Sequence, residues 1–240
     1  MTRMLKALGL AIAAMAALVA MMAPAAQAET GALTTAGFPS LVTGGQLGGV
    51  TFDIGEAPLK TIACGTSDLT STLVGPTDPV TFVPAYGACV AEPGAMPVTV
   101  TTNGCDYSIG VSKPGTTGTP ETTGLMQAWI LCPAGQQIEI HIYENAAAHA
   151  ANVSLCTYDI GPQGPVPAGV YHNVFGNPND VVATIRAQFT AKRTVGPEFL
   201  CGGGGMLQHL PISLTGNYTL RGFQEFAGGG EGAPIPLHVG

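Results

Sequence analysis

Residues 96–110, MPVTVTTNGCDYSIG, decide how the chain is read. Val98 and Val100 alternate with Thr99 and Thr101 at the start of this stretch, and Tyr107, Ile109 and Val111 alternate with Ser108 and Gly110 after it. That period of two is the mark of half-buried strands. Between them, Asn103-Gly104 supplies the two positive-φ residues that a type I′ turn needs, so the stretch is expected to fold as a β-hairpin. Cys105 then fastens the hairpin to something else.

The same pattern recurs on either side. Residues 49–54 (GVTFDI), 59–64 and 71–74 are expected as strands, with a turn at 65–68. Residues 80–83 and 88–90 flank Pro84, which points to an edge or a bend. Further strands are expected at 125–132, 137–144, 153–160, 169–175, 181–192 and 214–223. In residues 137–144, Ile138, Ile140 and Ile142 form one face and Glu139, His141 and Tyr143 the other. Residues 145–151 (NAAAHAA) offer one helical turn, too short to persist without packing. Residues 113–124 (KPGTTGTPETTG) hold little to bury and read as a solvated loop.

Composition supports the same class. Charged residues make up 10% of the 240, against about 25% in an average domain. Gly, Thr, Ala, Pro and Val take their place, which suits short strands and many turns. The expected fold is all-β, an antiparallel β-sandwich-like arrangement in one or two units, stapled by disulfides. Residues 1–28 read as a signal peptide: Arg3 and Lys6 precede an apolar run, and Ala26-Gln27-Ala28 is a small-x-small cleavage site. Residues 29–48 read as a flexible lead-in with an edge strand near 40–43, 49–133 and 134–226 as two β-units, and 227–240 as a disordered Gly-rich tail. An echo of Cys-x-Tyr-x-Ile-Gly at 105–110 and 156–161 is compatible with two related units. No second apolar span, lipid-bearing cysteine or hydrophobic tail follows, so no membrane span is expected after cleavage.

All six cysteines, Cys64, Cys89, Cys105, Cys132, Cys156 and Cys201, lie beyond the leader. An even count in an exported chain reads as three disulfides, and the simplest of the 15 pairings joins neighbours: Cys64–Cys89, Cys105–Cys132 and Cys156–Cys201. No Cys-x-x-Cys occurs, which removes the usual spacing of zinc ribbons, thioredoxin-type centres and attached haem. The leader takes two of the eight basic residues and none of the fifteen acidic ones, leaving six against fifteen, a net charge of −9. Such a chain repels phosphate backbones, so nucleic acid is not an expected partner.

Motifs that carry chemistry are absent or weak. Gly-x-Ser-x-Gly, His-Glu-x-x-His and a Gly-x-x-x-x-Gly-Lys phosphate loop do not occur, and Gly202 to Gly205 read as slack in a loop. Glu139 and His141, two apart on one strand face and joined by His149, are the metal candidates, set against an ordinary polar outer face. Asn177-Pro178-Asn179-Asp180 offers oxygens for calcium but suits a turn better. Trp129 is expected to be buried beside a disulfide. Asn152-Val153-Ser154 and Asn217-Tyr218-Thr219 fit the glycosylation acceptor pattern. Fifteen acids leave a carboxylate pair for glycoside hydrolysis open, but nothing singles one out.

Thr-Asn-Gly-Cys-Asp-Tyr at 102–107, Ile-Leu-Cys-Pro-Ala-Gly at 130–135 followed by Gln-Ile-Glu-Ile, Leu-Cys-Thr-Tyr at 155–158, and a last cysteine ahead of Thr-Gly-Asn-Tyr-Thr-Leu together carry a resemblance. Over residues 64–220 the chain resembles secreted six-cysteine β-proteins of high-GC Gram-positive bacteria. The resemblance implies export, disulfides and a β-fold, and carries over no catalytic residue. The expected role is therefore that of a non-catalytic secreted or cell-wall-associated structural or interaction protein, without a cofactor and with an unknown cell-surface or extracellular partner. Two alternatives stand beside it: an extracellular binder of an apolar small molecule or glycan, since the composition is similar to that of secreted apoproteins that shelter enediyne chromophores, and a secreted hydrolase.

Overall fold

The computed structural model describes residues 30–55, 60–76, 79–112, 123–174, 180–201, 209–225 and 231–239. The leader expected at 1–28, residues 113–122 of the threonine-rich loop and Gly202 to Gly205 lie outside them. The described residues are almost entirely antiparallel strand, as the alternation indicates.

Four strands are long: β5 (Lys60–Leu73), β6 (Val80–Glu92), β13 (Asp180–Val195) and β14 (His209–Glu225). Four further walls are each made of two strands laid end to end. These are β3 (Ser40–Gln46) with β4 (Val50–Ile54), β7 (Met96–Thr101) with β8 (Asp106–Ser112), β9 (Thr123–Leu131) with β10 (Ile138–Ile142), and β11 (Cys156–Ile160) with β12 (Gln163–Asn173). Each wall pairs with the next in sequence, β5 with β6, β6 with β7 and β8, and so on to β13 with β14. β14 then returns to β3 and β4, which in turn pair with β5. The ring is closed: an up-and-down barrel of eight walls, with no free edge along its length. The class is the expected one, but the sheet is not two stacked layers. Nor does the pairing break near residue 133, because β7 pairs with β10, β9 with β12, and β3 and β4 with β14.

The deciding stretch folds differently from its expectation. Asn103 (φ 51°) and Gly104 (φ 75°) adopt the positive φ values foreseen, and Cys105 N–H donates to the Thr102 carbonyl at 2.8 Å. The arms, however, do not pair with each other. Both lie along β6: Cys89 opposite Val98 on β7, and Phe82 opposite Tyr107 on β8. The turn is a kink inside one wall. Pro84, which suggested an edge, stands between the two stretches of β6 paired to β8 and to β7, where that flank has no ladder partner to lose. Residues 65–68, expected as a turn, lie within the unbroken strand β5.

Inside the ring, alternate residues build one apolar core, for example Val181, Ala183, Ile185, Ala187, Phe189 and Ala191 of β13. Most outward positions on the long strands are polar: Asp68, Thr70 and Thr72 on β5, Arg186, Gln188, Thr190 and Lys192 on β13, Asn217 and Arg221 on β14. A lipid-facing barrel needs an apolar outer band instead. No helix among the described residues is long and apolar enough to cross a membrane.

Three disulfides join Cys64–Cys89, Cys105–Cys132 and Cys156–Cys201. The second links the kink after β7 to the one after β9, and Asn103 Nδ2 also donates to the Gln137 carbonyl there (3.0 Å). The third ties β11 to the short helix α2 (Glu198–Cys201). The other helix, α1 (Ala146–Ala150), is capped by Asn145 Oδ1, which accepts from Ala148 N–H at 2.9 Å.

Residues 30–48 and 231–239 carry strands where a flexible lead-in and a disordered tail were expected. β1 (Thr30–Gly31) pairs with the end of β8, and β15 (Glu231–Ile235) with the end of β14, so they extend the wall at one mouth. β2 (Leu33–Thr35) and β16 (Leu237–Val239) pair only with each other, as a separate two-stranded sheet. Leu33, Leu237 and Val239 are buried in the core, so this small sheet plugs that mouth. Burial of these three apolar side chains is what orders segments whose composition alone gives no periodic signal.

Candidate functional site

The outer face of the barrel near the unplugged end carries the zinc candidates Glu139, His141 and His149. Glu139 and His141 project from β10, with Thr101 and Thr99 of β7 opposite them on one side and Asp159 and Thr157 of β11 on the other. Residues 143–155, including α1, fold back over this face. His141 Nε2 meets Glu139 Oε2 at 3.2 Å, and His141 Nδ1 meets Ser154 Oγ at 2.9 Å and Thr157 Oγ1 at 3.4 Å. His149 does not join them: its Nε2 lies 3.2 Å from Thr99 Oγ1 and its ring packs on Tyr143, with centroids 4.7 Å apart. Among the described residues, no three His, Cys, Asp or Glu side chains are gathered as a metal ligand set. Of the calcium candidates, Asn177 and Asn179 lie outside the described residues, and the Asp180 carboxylate is gripped by Arg221, whose Nε donates at 2.9 Å.

Ser154 is the residue that sequence reasoning missed. An Nε2–H directed at Glu139 leaves Nδ1 of His141 as an acceptor for the Ser154 hydroxyl, in outline a nucleophile, base and orienting acid. Acyl transfer also requires N–H groups aimed at a developing oxyanion. Three neighbouring N–H groups are engaged elsewhere: Leu155 N–H on Ile142 O (2.8 Å), Val153 N–H on Ala148 O (2.9 Å) and Asn152 N–H on His149 O (3.0 Å). The Ser154–His141 contact also pins residues 143–155 to the barrel. Only Ser154's place in the acceptor pattern marked it, because its contact spans a separation no motif encodes. Of the two acceptor asparagines, Asn152 and Asn217 are both exposed, and Asn152 Oδ1 accepts from Tyr143 OH at 2.9 Å.

Asp159 sits directly across from Glu139. Partial burial raises its pKa above the ordinary carboxylate value, with the Glu139 charge adding to the rise, while hydrogen bonds from Gln137 and Thr194 and the charge of Lys192 oppose it. Asp106 is raised by burial as well.

Inside, the barrel holds hydroxyls at its waist and a small void above them. Tyr86 OH donates to Tyr107 OH at 2.9 Å, and Ser67 Oγ lies 2.6 Å from Tyr218 OH. Between this belt and the plug is an apolar chamber of about 30 Å³, whose lining includes Leu69, Phe82, Met126, Ala183 and, from the plug, Leu33 and Val239.

No family model, no curated protein and no solved structure matches the chain. The functional reading therefore rests on these side chains. Trp129, expected in the core, lies on the outer face of β9 opposite Ser108, half-covered and against Gly164. It shares that face with Leu125 (67% exposed) and Leu131 (48%), while Val170 (37%) stands directly across from Leu125 on β12.

Proposed function

We propose that the chain is a non-catalytic exported protein, secreted or held at the cell wall, that acts by presenting its outer surface to an extracellular partner. The observation that carries this reading is the outer face of β9. Along β9 the outward row 125, 127, 129, 131 is apolar at every place but Gln127, with Val170 of β12 directly across from Leu125, whereas the exposed Val83 and Val195 stand singly on their strands. Exposed apolar side chains gathered on one face mark interaction sites more often than scattered ones do. The three disulfides suit an oxidising compartment, and the resemblance to secreted six-cysteine β-proteins points the same way. The mature charge of −9 disfavours nucleic acid as the partner.

The test is sedimentation of the purified protein with washed envelopes of its host. Saturable binding is expected, reduced at least about tenfold by the double substitution Leu125→Thr with Val170→Thr, a loss of about 1.4 kcal/mol. The melting temperature should change little, since threonine is a good strand former and brings no charge to this cross-strand pair. Absence of saturable binding by the native protein, or binding indifferent to the substitutions, refutes the reading.

A further inference from the structure

The plug separates two spaces. Beneath it lies the apolar chamber of about 30 Å³, room for only a few atoms beyond its lining. Beside it is an open groove of about 280 Å³ lined by residues 36–39, Gln224, Glu225 and Ile235. β14 runs past all three: Leu220 lines the chamber, Gly222 faces the plug and Gln224 lines the groove. At Gly222 the approach is close, for a Cβ there would stand 3.3 Å from Thr35 Cγ2 and 3.4 Å from Leu237 Cβ. The plug is held mainly by the burial of Leu33, Leu237 and Val239 and not by strand pairing. Among the described residues it forms no ladder with the wall, and its polar ties include the Asn173 side chain bonded to both N–H and C=O of Val239 (3.0 and 3.2 Å) and the Thr35 hydroxyl against Ser40 (2.9 Å).

We propose that the β2–β16 plug is a lid, and that chamber and groove join when it lifts into a binding site for a single unbranched alkyl chain. The joined space reaches the few hundred Å³ of a small-molecule site. An eight-walled barrel is just wide enough for side chains, so the guest must be as slender as the Leu33, Leu237 and Val239 side chains it displaces. The chamber lining is apolar but for Tyr171, while Glu225 lies at the groove and Ser40 at the rim. The head of the guest is therefore uncharged or basic, an alkyl alcohol, amide or amine, and not a carboxylate.

A linear, neutral fluorescent probe, trans-parinaryl alcohol, titrated into the full mature protein tests this, with 1-dodecanol and dodecanoate as competitors. Loosening the lid with Asn173→Ala raises the fraction open and should tighten probe binding about tenfold, since apparent affinity scales with that fraction. Ala183→Leu fills the chamber and should abolish the gain while leaving the circular-dichroism spectrum intact. Dodecanol should displace the probe better than dodecanoate. Affinity unchanged by Asn173→Ala in folded protein overturns the lid. Binding unaffected by Ala183→Leu places the probe in the outer groove alone and overturns the joined site. Displacement by dodecanoate as readily as by dodecanol overturns the assignment of the head group. Because the envelope assay reads β9, its result is independent of these.

Discussion

Tyr218 shows how a single polar group is tolerated in this core. Its hydroxyl lies 2.6 Å from Ser67 Oγ, and burial pushes its pKa up to about 12 despite that hydrogen bond, with Asp68 adding to the rise. Tyr158 is likewise pushed up to about 12 by burial, with Arg193 opposing, and its hydroxyl donates to the Cys201 carbonyl at 2.5 Å. Burial also raises Tyr86 and Tyr107. In the unfolded chain a tyrosine titrates near 10. Below that value both states keep the proton and stability does not depend on these groups. Above it the unfolded state loses protons first, so stability falls as pH rises from about 10 to about 12. Thermal melts should be flat between about pH 8 and pH 10 and drop steeply beyond, and the double variant Tyr158→Phe with Tyr218→Phe should drop less steeply. At neutral pH the same variant should be less stable by about 1 to 3 kcal/mol, because Ser67 and the Cys201 carbonyl lose partners. A fold that survives full tyrosinate absorbance at pH 11 would contradict the burial argument.

Among elements, the kinked wall of β7 and β8 carries the most information. Asn103-Gly104 and the neighbouring kink at 132–137 lie side by side, bridged by Cys105–Cys132 across a separation of 27 residues. Replacing both cysteines with alanine should lower stability by about 3 kcal/mol, read from urea unfolding with a steeper slope, because the uncrosslinked chain exposes more surface when unfolded. Asn103→Ala should cost about 1 kcal/mol and Asn103→Gly less, since glycine tolerates φ 51° and alanine does not. Equal effects for the two would mean that the turn conformation is not what Asn103 contributes. The turn was legible in the sequence because its backbone depends on two adjacent residues. Its consequence was not, because an Asn-Gly turn closes a hairpin only if its arms meet, and here β6 runs past both and claims each. Glu139 and His141 were legible in the same local sense: two apart on a strand, they do touch, but the third group at the imidazole, Ser154, comes from a separate segment. The short ends at β2 and β16 were misread for a similar reason, since three buried apolar residues among Gly, Thr and Pro give no period until a barrel mouth receives them.

On the scale of the molecule, closure is the property that no local pattern announces. The alternation in β14 marks a strand, yet nothing in it says that its partners are β13 on one side and β3 and β4, from the start of the chain, on the other. This has a thermodynamic consequence that separates a single ring from two consecutive β-units divided near residue 133. In the ring, each half of the sequence supplies neighbours to the other, and β5, β6, β13 and β14 span the full height. Unfolding either half strips ladder partners from the rest. Calorimetry of the oxidised protein should therefore show one transition, with the van't Hoff enthalpy equal to the calorimetric one, roughly 0.7 kcal/mol per residue near 60 °C. Two independent units would give a van't Hoff value near half the calorimetric enthalpy, or two resolved peaks. Gly169→Ala sharpens the comparison: its Cβ would stand 2.0 Å from the Thr184 carbonyl oxygen, at φ +113°, so β12 and β13 must part. In a closed ring that damage has no unit boundary to stop at. The variant should melt lower by several degrees, still in one transition, and a variant that keeps part of its enthalpy in an unshifted peak would mean that the walls do not fold as one ring.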